Sequence, residues 1–261
     1  MRATLVIAVL AAIFPVVSAA APAACSAISA DHRVALIELY TSEGCDSCPP
    51  ADQWLSRLGS AHETRRAIAI AFHVDYWDRL GWVDRFASAK YTERQREQMR
   101  RQRATFVYTP QVMLQGRDFS KWRTSGEPAA AIAAVNAQPP RASIDLAVDT
   151  QGSNAIVDVH VNVPDARDRA RAVVAVALVQ GNLSSDVRRG ENAGKRLTHD
   201  HVVRQWRDGI SPDSAGEVRQ QLRFALPADS GPIEILAFAE DDATGEVLQA
   251  LALPLCGRVR P

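Results

Sequence analysis

Cys45 and Cys48 stand three residues apart in Tyr40-Thr41-Ser42-Glu43-Gly44-Cys45-Asp46-Ser47-Cys48-Pro49-Pro50, after the apolar run 34–39 and before the helix-like stretch 51–58. At a strand-to-helix junction this is the spacing of thiol–disulfide exchange. Cys45 would lie at the free N-terminus of the helix, where unpaired N–H groups and the helix dipole stabilise a thiolate. Cys48, one turn later on the same face, is placed to resolve a mixed disulfide. A structural zinc site would need a second ligand pair, and the chain has no second Cys-x-x-Cys. Glu43 and Asp46 tune the pair. Negative charge beside a forming thiolate raises its pKa and opposes the dipole, so a mild oxidant, a reductant or an isomerase is expected rather than a strong oxidant.

Other residues carry weaker signals. His73 could join Cys45 and Cys48 in a copper site, since two thiolates and an imidazole suit that metal; the competing reading is a hydrogen-bonded core histidine. His199 and His201 flank Asp200 and would share a face on a strand. Tyr76, Trp77 and Trp82 follow the strand 67–74 and either bind an extended polypeptide or pack their own segment onto the core. Cys25 and Cys256 have no redox spacing, and in an oxidising compartment the simplest reading is a structural disulfide joining the ends of the mature chain. Ala23-Ala24-Cys25 also invites acylation of Cys25, although Pro22 sits where such sites favour an aliphatic residue.

The elements that would position these groups follow from the pattern. Residues 1–20 begin with one Arg, continue as an apolar run too short for a bilayer span, and close on Ser18-Ala19-Ala20, which reads as a cleaved signal peptide. The protein is therefore expected to be exported, to the periplasm or beyond, with no transmembrane anchor. About 240 residues remain, enough for two domains, and equal numbers of acidic and basic residues, 30 each, give no field toward nucleic acid. Strands at 34–40, 67–74 and 111–115 alternate with helices at 49–58, about 81–104 and 128–137, a pattern of helices covering a sheet. The Arg- and Glu-rich part of 81–104, polar nearly all round, reads as a solvated helix. After Pro139-Pro140 come strands at 142–149, 155–163, 171–180, 200–207, 217–226, 233–240 and 246–253, as in a β-sandwich.

Thr109-Pro110 opens the strand at 111–115. In thioredoxin folds a cis-proline at the start of a strand faces the Cys-x-x-Cys pair, and the backbone before it pairs with substrate. With Glu38–Asp52, Phe72-His73-Val74-Asp75-Tyr76-Trp77-Asp78, Gly81-Trp82, Tyr108-Thr109-Pro110-Gln111 and Gly190-Glu191-Asn192-Ala193-Gly194, the chain resembles the secreted thioredoxin-like family called domain of unknown function 1223. The resemblance runs nearly the full length. It implies an α/β thioredoxin-like domain over 31–138, here with surplus chain forming an inserted helical segment, followed by an all-β, sandwich-like domain over 141–256. The activity expected by analogy is exchange of disulfides with protein thiols through Cys45 and Cys48, with Thr109 and Pro110 orienting substrate. No cofactor is called for beyond the redox-active disulfide, and recharging falls to a separate electron-transfer partner. The alternative is a binding protein, either a copper carrier or an assembly factor.

Overall fold

The computed structural model describes residues 25–60, 67–229 and 231–256; the expected signal peptide lies outside them. The chain is mostly β. β2 (Ala35–Thr41) and β3 (Ala67–His73) are parallel, Ala35 opposite Ala67 and Thr41 opposite His73. Both are buried along their whole length, which is why each reads as an almost unbroken apolar run instead of alternating. β4 (Gln111–Leu114) and β5 (Arg117–Asp118) extend the sheet on one side. On the other side β3 meets β11 (Val202–Ile210), with Val202 opposite Ala71 and the Ala71 N–H donating to the His201 carbonyl at 2.8 Å.

Through that junction the sheet continues into β8 (Ala172–Gln180), β13 (Ile233–Asp241) and β14 (Val247–Pro254), giving eight strands in the order β14-β13-β8-β11-β3-β2-β4-β5. A second, antiparallel sheet has the order β1-β6-β7-β12, from β1 (Cys25–Ile28), β6 (Ser143–Gln151), β7 (Asn154–Asn162) and β12 (Glu217–Ala225).

The expected α/β thioredoxin-like domain with an inserted helical segment, followed by a separate all-β sandwich, is therefore corrected. Strands from before and after Pro139-Pro140 form one mixed sheet, because the outer edge of β3 is closed by a strand some 130 residues later in the chain. Cores follow the two-residue period of that sheet. Val174, Val176 and Leu178 pack with Ile235 and Ala237 against the second sheet, while Ala175, Ala177 and Val179 join Leu36, Tyr40, Ile70 and Phe72 in a core common to both halves. Ile37, Leu39, Ala69 and Ala71 face α1 (Pro49–Ser60) and Ile132 of α3 (Glu127–Asn136).

The helical stretch expected over 81–104 is helical only in α2 (Ala89–Arg101), capped by Ser88, whose hydroxyl accepts from the Lys90 N–H at 3.3 Å. It is not the solvated helix its composition suggests. The Arg94 side chain, 8% exposed, donates to Glu38 of β2 at 2.9 Å and to Glu240 of β13 at 2.9 and 3.2 Å, so one guanidinium ties both parts of the large sheet to the helix. Burial opposes its charge, but the carboxylates of Glu240 and Glu38 outweigh it and hold Arg94 protonated. The rings of Phe72, Trp206 and Phe238 surround it at 5.1 to 5.6 Å, as suits a weakly hydrated, planar cation. Among the described residues no helix is long and apolar enough to cross a membrane.

Candidate functional site

β2 ends at Thr41, and the chain then turns tightly into α1. The Gly44 N–H donates to the Ser42 hydroxyl at 3.1 Å, the Cys45 N–H to the Ser42 carbonyl at 3.2 Å, and the Cys48 carbonyl accepts from Ala51 and Asp52 at 2.8 and 3.2 Å. Pro49 opens α1, where its missing N–H costs nothing and its fixed φ suits the first helical position. Gly44 is required by closeness: a Cβ there would lie 2.9 Å from Cβ of Trp77. Cys45 and Cys48 are joined in a disulfide, and the Cys45 sulfur is 3.4 Å from the Ser47 hydroxyl. Both cysteines are 0% exposed, so exposure does not distinguish Cys45 from Cys48.

The cover over the pair comes from the hairpin of β9 (Leu183–Asp186) and β10 (Arg196–His199). Gly190 and Gly194, at φ 75° and 82°, shape the loop between these strands, a backbone region glycine enters without penalty. The buried Asn192 amide donates to the carbonyls of Glu43 and Cys45, both at 2.9 Å, and Lys195 holds the Asn192 oxygen at 2.9 Å. Glu191 accepts from the Asp46 N–H at 3.2 Å.

Beside the disulfide lies a buried group of ionisable side chains. Glu43 accepts from the Trp82 indole at 2.7 Å through Oε2, while its Oε1 is 3.4 Å from Nε2 of His199. Nδ1 of His199 is 4.0 Å from Asp52, which lies one helical turn after Cys48. His73 meets Asp84 at 2.7 Å and stacks edge-on against His199, ring centres 4.8 Å apart. Burial pushes the Asp52 carboxyl above its ordinary range, against the pull of His199 and His73. Burial disfavours the His73 imidazolium, yet the Asp84 carboxylate outweighs it and raises His73; burial would raise Asp84, and His73 with the N–H groups of Glu43 and Phe86 brings it below its ordinary value.

The remaining candidates fall in two sets. Trp77, half-buried, packs on Gly44 and donates to the Thr109 hydroxyl at 2.7 Å, which places Thr109 and the cis-peptide-linked Pro110 beside the cysteine turn. Tyr76 donates to Gln95 at 3.3 Å. Asp46 is exposed whereas Glu43 is fully buried. Away from this region Cys25 is joined to Cys256. His199 ends β10 while His201 sits in a left-handed turn at φ 57°, so the two histidines do not share a strand face. Among the described residues no group of three or more His, Cys, Asp or Glu side chains is placed to hold a metal ion. A groove of about 880 Å³ between α1 and α3, lined by Trp54, Leu58, Trp122 and Ile132, contains none of the disulfide cluster.

Asn192, Asp52 and Asp84 carry no site role in the sequence reading. The available signal was Gly190-Glu191-Asn192-Ala193-Gly194, two glycines bracketing a short polar turn.

A family model described as "Protein of unknown function (DUF1223)" matches residues 36–237. The chain is similar to the X-ray structure of protein AGR_C_4864 from Agrobacterium tumefaciens, at 26% identity and TM-score 0.58, over 89% of this chain and 99% of that one. It also resembles HBP35 of Porphyromonas gingivalis, at 13% identity and TM-score 0.61, over 89% of this chain and 78% of that one, a likeness of fold alone. No curated protein matches.

Proposed function

The chain belongs to the DUF1223 family of proteins of unknown function, and as that membership names no reaction, we propose from the site itself that it is an exported thiol–disulfide oxidoreductase. The observation that carries this reading is the Cys45–Cys48 disulfide at the N-terminus of α1, set beside ionisable side chains rather than in a wholly apolar core. A substrate thiolate attacks the Cys45 sulfur, the Cys45–Cys48 bond breaks, and its electron pair passes to Cys48. A second substrate thiol then displaces Cys45, leaving a substrate disulfide and a reduced pair. Run backwards, the same steps reduce a substrate disulfide. The helix N-terminus stabilises the thiolate of Cys45 in either direction.

Trp77, bridging Gly44 and Thr109, keeps the segment ending in Pro110 beside the reacting sulfurs, where an extended substrate would lie. Because both cysteines are buried, the loop carrying Asn192 moves aside before a protein thiol reaches Cys45. Substrate thiols and the partner that recharges the pair belong to an oxidising compartment.

Equilibration of the native protein in glutathione buffers, followed by alkylation and peptide mapping, tests this. Cys45 and Cys48 should open and close reversibly with the buffer while Cys25 and Cys256 stay joined. A Cys45–Cys48 bond that opens only when the protein unfolds would make it a structural staple.

A further inference from the structure

His199 is a buried imidazole with neither ring nitrogen in a hydrogen bond. An unpaired buried polar group is costly, and this one lies between two carboxylates. Glu43 Oε1, also without a hydrogen-bond partner, is 3.4 Å from Nε2, and Asp52 Oδ2 is 4.0 Å from Nδ1. A movement of about 1 Å brings either nitrogen to hydrogen-bond distance. Asp52 stands on α1 four residues after Cys48, the residue that immediately precedes the helix, and its N–H donates to the Cys48 carbonyl, so the two lie one above the other at the helix start. Glu43 lies under the loop that covers the disulfide, its own carbonyl held by Asn192.

Resting on the oxidoreductase reading, we propose that His199 is the proton carrier of the site, passing protons between Asp52 at Cys48 and Glu43 at the covering loop. When the disulfide is reduced, the Cys45–Cys48 bond breaks toward Cys48, and the thiolate formed there takes a proton from Asp52. His199 replaces that proton and is itself recharged through Glu43, which meets solvent once the loop has moved. When a mixed disulfide on Cys45 is resolved, the flow reverses: Cys48 gives its proton to Asp52, its sulfur attacks Cys45, and the substrate leaves as a thiolate. Cys48 is fully buried, so water cannot serve it directly. His199 and Glu43 touch no reacting atom and are positioning residues.

Each element around His199 contributes to its field. α1 supplies Asp52, the turn before it Glu43, β3 His73, and the segment after β3 Asp84, with Asp78 behind it. Phe86 packs against both imidazoles, and Arg85 and Arg204 stack on that ring at 4.5 and 5.4 Å. Burial raises the Asp52 carboxyl above its ordinary range, the direction needed in a carboxyl that holds a proton to give.

The test isolates resolution. Reduced protein is mixed with excess oxidised glutathione, and the plateau rate of Cys45–Cys48 closure is followed against pH for the natural protein, His199→Gln and Asp52→Asn. Both variants should lose about a hundredfold in plateau rate at pH 7, the low side of what a positioned acid–base group provides. The rising limb of the profile should move to higher pH, because Cys48 must then ionise unaided in a buried place. The second-order rate of the first step, attack by Cys45, should be unchanged. Asp52→Glu should restore part of the plateau. If both variants, or whichever one folds, keep the natural plateau and pH limb, the proposal is overturned. A natural protein that forms no mixed disulfide at all would instead overturn the oxidoreductase reading beneath it.

Discussion

Replacing Arg94 with Met should lower the free energy of unfolding by about 3–5 kcal/mol, the cost of breaking a buried ion cluster from one side. Glu38 and Glu240, 0% and 4% exposed in their side chains, would be left as two buried carboxylates, with Arg101 the remaining cation paired with Glu240. One of them would have to take up a proton or water would have to enter. The loss should be felt across the large sheet, since Arg94 joins β2 to β13 through α2. Urea unfolding monitored by circular dichroism measures it; Arg100→Met, which removes an exposed pair with Glu93, is the control and should change nothing measurable. The same cluster sets an acid limit. Burial raises the Glu240 carboxyl, but Arg94 outweighs it and brings Glu240 below its ordinary value, so its contribution is present above the unfolded carboxylate pKa and is lost as pH falls through the lower, folded one.

Removing the Cys25–Cys256 bond, by paired replacement with Ser, should cost about 2–5 kcal/mol. The bond closes a loop spanning 231 positions, and releasing it returns most of that closure entropy to the unfolded chain. In the folded state it fastens β1, an edge strand of only four residues paired with β6, to the chain just after β14. Hydrogen exchange should therefore quicken first in β1, and the disulfide between Cys45 and Cys48 should keep its exchange behaviour. An unchanged unfolding midpoint would show that packing of β1 alone holds the ends.

The local elements were legible because their patterns are strong. The apolar runs at 34–40 and 67–74, the Cys-Pro junction and the alternating strands after Pro140 all correspond to elements within a few residues. What the pattern could not reveal is which edge each strand meets. The β3–β11 pairing depends on the approach of two chain segments far apart in sequence, and no period encodes it; hence the sequence pattern does not reveal that strands from before and after Pro139-Pro140 share the large sheet. The short hairpin of β9 and β10 was missed for a related reason, since Ser184, Ser185 and Thr198 alternate with too few apolar residues to show a period. That omission hid half of the site. Asn192 rides on the hairpin and His199 ends it, so the lid and the proposed proton carrier become visible only when β10 is seen beside α1. α2 misleads differently: beside Tyr91, Thr92 and Met99 its buried face carries Arg94, Gln95 and Gln98, residues whose composition signals solvent unless carboxylates and aromatic rings wait on the other side.

The most direct measurement of thiol exchange at this site is a trap. Cys48→Ala removes the resolving sulfur, so a substrate joined to Cys45 cannot be released by the usual intramolecular attack. Expressed as the full chain in a cell that directs it to an oxidising compartment, the variant should accumulate mixed disulfides that map to Cys45, dissolve on reduction, and vanish in the Cys45→Ala, Cys48→Ala double variant. A Cys48→Ala protein that carries only a free, unmodified Cys45 under these oxidising conditions would contradict disulfide exchange through this pair.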